Sequence, residues 1–278
     1  MKFGKRNAIF RKKGARFLDK RKIIYYTDEL NDEFSTAVII PKKIDGNYTY
    51  CYDSLFKKFT HFFWYRMIAT PIAFLYVKAV FGHRVIGKEK LKEFPNVGYF
   101  LYGNHTQDIG DALLPSTLNF PKTNYCIVHP NNVSMPFLGR ITPSLGALPL
   151  PDDMIAYKNF IKAIERRIDE RNAVVIYPEA HIWPYYTKIR PFTDVSFQYP
   201  VKQNAPVFCF TNTYQKRKLS KRPRIVTYID GPFFPDKSLS SRQQRLDLRN
   251  KVYECMCKRA ENSNIVCIDY IKREEENG

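Results

Sequence analysis

The sequence predicts an α/β fold: a mixed, largely parallel sheet flanked by helices, preceded by an N-terminal amphipathic, membrane-associating helical segment. Three observations carry that prediction. Short apolar runs alternate with helical patterns from Tyr99 onward, two long helical patterns each show one apolar stripe, and the clustered polar residues sit just beyond strand ends rather than on helices. A chain of 278 residues, 44% hydrophobic and 15% aromatic, has enough apolar surface to bury a sizeable core in one main domain.

Residues 1–53 read as a basic N-terminal arm with short β-like runs at 22–26, 36–41 and 47–52, the last two separated by the turn signal Asp45-Gly46-Asn47. The first 22 residues hold ten Lys or Arg against a single acid, Asp19, and lack an apolar core of about seven residues or more, so they do not read as a secretory signal. Residues 54–82 are the most apolar and aromatic part of the chain. Their longest charge-free stretch, Met67 to Val77, is too short to span a bilayer. With Trp64 and Tyr65 beside Lys57, Lys58, Arg66 and Lys78, and with Pro71 expected to kink a helix, the segment reads as an interfacial or re-entrant helical pair.

Residues 83–278 form the α/β domain. Strands are expected at 99–104, 124–130, 173–180, 205–214 and 224–230. Between the second and third, residues 152–172 place Tyr157, Ile161, Ile164 and Ile168 on one helical face, with Asp152 and Asp153 available at its N-terminus. A last helix over 240–262 turns Leu248, Val252 and Cys255 or Met256 inward, and the tail 272–278 is solvated.

The formal net charge of +18 implies an acidic partner: nucleic acid, an anionic membrane surface or a phosphorylated substrate. Phe3, Phe10 and Phe17 interleaved with basic residues would suit phosphate contacts plus stacking, but no nucleic-acid-binding fold signature accompanies them. Upstream of an apolar segment, the arm reads instead as a tether to an anionic membrane surface, with no nucleic acid expected. None of the six cysteines forms a CxxC pair and most lie in apolar runs, which points to free thiols and a reduced setting, hence the cytoplasmic face of the cell membrane.

Two strand ends hold the candidate chemistry. Gly103–Pro115, GNHTQDIGDALLP, sets Asn104, His105, Thr106, Asp108 and Asp111 after an apolar run, and Tyr177–Phe192 sets Glu179, His181, Lys188 and Arg190 after another. A carboxylate behind a histidine fixes its tautomer and stabilises the imidazolium, so that the ring takes a proton from a hydroxyl. No serine or cysteine stands in a nucleophile-elbow context, which favours direct transfer. His105, Asp108, Asp111, His129 and His181 match no metal-ligand spacing, and no metal is expected.

NHTQDIGD followed downstream by YPEA resembles the first and third blocks, roughly NHxxxxD and FPEGTR, of the glycerolipid acyltransferase family, of the 1-acylglycerol-3-phosphate acyltransferase type. The likeness in order and spacing covers about residues 55–230, with MPFLGRITPSLGALPLPDD where the second block belongs. It implies transfer of a fatty acyl group from acyl-CoA or acyl-carrier protein, as co-substrate and without another cofactor, to a hydroxyl of a lysophospholipid or related acceptor. His105 is then the general base and Asp111 its orienting acid, with Asp108 the alternative. Backbone N–H groups would hold the oxyanion, Glu179 would organise the acceptor pocket, and Asn104, Thr106 and His181 would line it.

The departures are specific. The family's acid stands five residues after the histidine, where this chain has Gly110; Asp108 stands at three and Asp111 at six. Asp111 aligns best, because DALLP resembles the apolar run after the family's aspartate. The arginines of the second and third blocks are absent, leaving Lys188 and Arg190 as the nearest replacements for a phosphate ligand. The rival readings are a non-catalytic lipid- or acyl-binding relative and a basic nucleic-acid-binding α/β protein.

Overall fold

The computed structural model describes residues 21–34 and 39–273; the basic residues 1–20, positions 36–38 of the second β-like run and the tail beyond 273 lie outside them. In chain order the elements are β1 (Lys22–Tyr26), α1 (Leu55–Phe62), a π-helical segment (Phe63–Ala69), α2 (Thr70–Phe81), β2 (Arg84–Ile86), α3 (Lys88–Lys92), β3 (Tyr99–Gly103), α4 (Gly110–Leu118) and β4 (Asn124–Val128). There follow α5 (Asn131–Ser134), β5 (Ala147–Pro149), α6 (Met154–Asp169), β6 (Ala173–Ile176), α7 (Gln198–Gln203), β7 (Val207–Gln215), β8 (Arg224–Phe233), α8 (Ser241–Ala260) and β9 (Ile268–Lys272).

The main sheet has seven strands in the order β2-β8-β7-β3-β6-β4-β5. Strands β7, β3, β6, β4 and β5 run parallel; β8 turns back antiparallel on β7, and β2 pairs parallel to β8. The central strands are buried on both faces, as strands covered by helices on two sides must be. Phe100, Tyr102, Val174 and Ile176 pack with Phe160 and Ile164 of α6 and Leu248, Val252 and Met256 of α8. The alternate residues Tyr99, Leu101 and Val175 pack with Leu91 of α3 and Leu118 of α4. This is the mixed, largely parallel sheet between helical layers that the alternating pattern predicts.

All five expected strands form, and the caps follow their side-chain chemistry. Asp153 accepts from the amides of Ile155 and Ala156 to start α6, and Ser240 with Gln243 forms a capping box on α8. The inner stripe of α6 is turned slightly from expectation: Ala156, Phe160, Ala163 and Ile164 are buried, while Tyr157 and Ile161 lie at its edge. Residues 47–52 are not a strand. Instead Tyr50 is buried in the main core, with its hydroxyl donating to Pro149 O at 2.9 Å.

The N-terminal helical segment departs from a pair. Leu55–Phe81 is one unbroken run in which backbone angles stay helical through both junctions of the π-helical turn. Pro71 comes directly after the π-helical turn Phe63–Ala69, where the bonding pattern shifts, and the run continues through it without a break. Tyr65, Thr70, Ala73, Val77 and Phe81 are buried, while Leu55, Phe56, Phe59, Phe62, Met67 and Leu75 are more than half exposed. Among the described residues no helix is long and apolar enough to cross a membrane.

Strands β1 and β9 pair parallel in a separate two-stranded sheet. It packs against the loop after β6: Trp183 stacks on Tyr270 at 4.9 Å and meets Tyr26 at 4.7 Å. The described part of the N-terminal region is thus built into the domain rather than hung from it.

Candidate active site

β3 and β6 are parallel neighbours with Tyr102 opposite Ile176, so the segments following each leave the same end of the sheet side by side. The exit of β3 demands glycine: a Cβ on Gly103 would stand 2.1 Å from the Phe210 ring. Asn104 then ties the turn to β7, accepting from Asn212 N–H at 2.8 Å and donating to Asn212 O at 3.1 Å. The Tyr214 hydroxyl holds Thr106 and Gln107, donating to Thr106 Oγ1 at 2.7 Å and accepting from Gln107 Nε2 at 2.9 Å. Asn104 and Thr106 are buried in these bonds.

Asp111 lies in the first turn of α4, and its carboxylate points back over the turn. Oδ2 accepts from the Thr106 and Gln107 amides at 2.8 and 2.9 Å and lies 2.8 Å from His105 Nδ1. Oδ1 is buried without a hydrogen-bond partner among the described residues. Burial pushes the Asp111 carboxyl above its ordinary range, against the pull of His105 and the two amides. Asp108 is exposed, and it is Asp111, six residues on, that lies within hydrogen-bond distance of the imidazole. The close approach at Gly110 is steric: its φ is not positive, but a Cβ would stand 2.8 Å from Gln107 Cβ.

His105 keeps 18% of its side chain exposed and stacks on the Tyr177 ring at 4.5 Å, with 20° between planes. The Tyr177 hydroxyl donates to Asp111 O at 2.5 Å. With Asp111 accepting at Nδ1, that nitrogen carries the ring proton, and Nε2 presents its lone pair with no protein partner among the described residues. This is the arrangement of a general base: orienting acid on one nitrogen, proton acceptor on the other.

Glu179 is buried behind this pair as a staple. Its Oε2 accepts from His105 N–H and its Oε1 from Arg190 N–H, each at 3.1 Å. Burial pushes its carboxyl up, with the Arg190 guanidinium, 3.8 Å away, opposing. Arg190 itself corrects the expectation that it faces the cleft. It is fully buried and donates to the carbonyls of Glu179 (3.0 Å), His181 and Glu29 (3.2 Å), with its charge 4.9 Å from the Trp183 ring centroid. A guanidinium out of water needs acceptors, and these carbonyls supply them. His181 points outward, Nδ1 lying 3.0 Å from Glu33 Oε2, and Lys188 is exposed.

The structure therefore gathers His105, Asp111 and Glu179, leaves Asp108, His181 and Lys188 outside, and gives Asn104, Thr106 and Arg190 to the scaffold. Sequence reasoning missed Tyr177 as the ring's stacking partner, although it opens the YPEA block. It also missed Gln107 and Tyr214, and the anchoring of the loop by Trp183 Nε1 to Asp32 O at 2.8 Å, for which the sequence carries no local signal. The amides of Thr106, Gln107 and Asp111 are committed within the turn and that of His105 to Glu179, so these four do not serve as oxyanion donors. Two cavities, of about 210 and 330 Å³, lie away from His105: one between Tyr48–Tyr52, α1 and α6, the other at the opposite end of the sheet.

No protein-family model and no curated protein matches the chain. Among solved structures it is similar to the crystal structure of the 1-acyl-sn-glycerophosphate (LPA) acyltransferase PlsC from Thermotoga maritima, with 19% identity, a TM-score of 0.49, and coverage of 74% of this chain and 86% of that one.

Proposed function

We propose that the protein is an acyltransferase that moves a fatty acyl group from an acyl thioester, acyl-CoA or acyl-carrier protein, to the hydroxyl of a lysophospholipid or related acceptor. The observation that carries this reading is the His105–Asp111 pair at 2.8 Å on a partly exposed ring, set in the same NHTQDIGD and YPEA segments that resemble the glycerolipid acyltransferase blocks. His105 Nε2 removes the acceptor's hydroxyl proton as the oxygen attacks the thioester carbonyl; Asp111 steadies the imidazolium. The tetrahedral intermediate collapses with cleavage of the C–S bond, and the imidazolium returns the proton to the departing thiolate. No group of the enzyme is acylated and no other cofactor enters.

The acceptor is chosen without Arg190. Because that guanidinium is turned onto carbonyls, an acceptor phosphate would have to be held by Lys188 or lie beyond the loop, and an acceptor lacking phosphate fits equally well. The exposed apolar face of Leu55–Phe81 supports a peripheral position on the membrane, at its cytoplasmic face in keeping with the free thiols. The test is purified protein incubated with acyl-CoA or acyl-carrier protein and acceptors with and without phosphate, read by mass spectrometry. Acylated acceptor formed by the wild type and not by His105→Ala is expected; lipid retained but never acylated identifies a binding protein and overturns the reading.

A further inference from the structure

The larger cavity, about 330 Å³, lies where β3 and β4 begin, at the opposite end of the sheet from His105. Its wall carries five cations, Arg66, Lys88, Lys92, Lys122 and Arg171, and no acidic side chain. Among the described residues none of the five forms an ion pair with a carboxylate. Those that are bonded reach only neutral oxygens. Arg66 donates to Pro121 O and to Thr123 Oγ1 at 2.9 Å, Lys88 to Thr117 O at 2.8 Å, and Lys122 spends its three donors on Pro95 O, Val97 O and Arg171 O at 3.1, 3.0 and 2.5 Å, so that it offers charge rather than a free N–H. Lys92 and Arg171 are exposed, whereas Arg66, Lys88 and Lys122 are half-buried, where like charges repel more strongly and a bound anion would offset the repulsion.

Two further features mark the place. Arg171 ends α6 in the left-handed region, φ 63°, with Arg171 N–H bonded to Ile168 O and Asn172 N–H to Arg167 O. That is the helix-ending position where glycine is favoured, and an arginine stands there instead. The cavity also opens onto apolar surface: Arg66 belongs to the long helical run and lies 5.6 Å from the ring centroid of Phe120, which meets Phe74 of α2 edge-on at 6.0 Å. Phe120, Phe74 and nearby Met67 are all exposed.

We infer that this cavity binds the phosphate of an anionic phospholipid headgroup in the bilayer, while the apolar face of Leu55–Phe81 beside it meets the acyl chains. Five unpaired cations supply the charge complement, and the contiguous apolar helix makes a lipid, rather than a soluble phosphate, the occupant. Burial and the neighbouring cations, Lys92 and Arg171 respectively, hold the Lys88 and Lys122 ammonium groups below their ordinary range, and an anion in the cavity would relieve both. The site is separate from the chemistry at His105 and does not depend on the proposed reaction.

The test uses the full chain and a double variant, Lys92→Ala with Arg171→Gly, beside a control that removes two exposed lysines elsewhere, Lys218→Ala with Lys237→Ala. Glycine at 171 suits the left-handed backbone, so the variant is expected to fold. Sedimentation with phosphatidylcholine vesicles containing phosphatidic acid should show the cavity variant bound roughly tenfold more weakly than wild type, with the control within about twofold. On phosphatidylcholine alone all three should bind alike. Equal losses in variant and control would mean diffuse charge attraction and overturn the site. So would equal binding of wild type and variant to the anionic vesicles, together with a thermal shift by inorganic phosphate seen only in the wild type; that combination assigns the cavity to a free anion.

Discussion

At the scale of single residues, the decisive fact is which acid the imidazole meets. His105 reaches Asp111 because the turn from Thr106 to Gly110 is compact enough for α4 to begin under it, with Asp111 N–H bonded to Gln107 O at 3.1 Å. In a thioester-to-lysolipid assay, Asp111→Asn should lower kcat on the order of 10²–10⁴-fold, since it removes the acceptor that fixes the tautomer, whereas Asp108→Asn should change it little. Equal losses at both positions would mean that the turn rearranges in solution. Arg190 invites the opposite kind of experiment. Its guanidinium satisfies three carbonyls, and losing it leaves Glu179 buried without its cation, so Arg190→Ala should cost about 3–5 kcal/mol in denaturant unfolding. Arg190→Lys should not rescue it, because one ammonium cannot reach the same set of oxygens. A variant with wild-type stability and a raised KM for a phosphorylated acceptor would instead return Arg190 to the cleft.

At the scale of elements, the helical run Leu55–Phe81 has two faces with different duties. Tyr65 bonds the start of β4, its hydroxyl accepting from Asn124 N–H at 2.9 Å, while Ala73, Val77 and Phe81 are buried in the domain. Removing the whole segment would therefore uncover the core, and membrane attachment has to be tested on the outer face alone. Phe59→Asp with Leu75→Asp should keep the melting temperature within about 2 °C yet abolish most retention on vesicles, because exposed substitutions cost little stability while charges placed in an interfacial face are expelled. Val77→Asp should unfold the protein, since it puts an unpaired charge into packed surroundings. Undiminished vesicle binding by the first variant would assign attachment to the basic arm instead.

At the scale of the whole molecule, a buried polar chain crosses the reversed strands. His83 Nε2 lies 2.8 Å from Thr227 Oγ1, which donates to Asn212 Oδ1 at 2.6 Å, and the Asn212 backbone holds Asn104 beside His105. Burial, with the charges of Lys88 and Lys78, lowers His83 to about 4 from an ordinary 6.5. Between those values the unfolded chain binds a proton that the folded one refuses, so stability falls as pH drops from about 6.5 to about 4. Denaturant midpoints at successive pH values should show that loss, and His83→Gln should flatten it. An unchanged profile in the variant would place the titration elsewhere.

What the sequence by itself determined is everything that depends on near neighbours in the chain. Period-two and period-3.6 patterning gave the five strands of the domain and the helices α6 and α8, because burial follows local spacing wherever a sheet is covered on both sides. The order of NHTQDIGD and YPEA marked His105, the two acids and Glu179, because strand ends are where such a sheet exposes functional groups. Only the tertiary structure decided the rest. Asp111 rather than Asp108 partners His105 because a backbone turn, not residue count, sets the distance. Arg190 is a scaffold residue because Glu29 and Trp183, far apart in sequence, close over it. Strand β1 pairs with β9 from the other end of the chain, and five cations from four separate segments meet around one cavity. Such pairings follow from long-range packing, on which no local pattern reports.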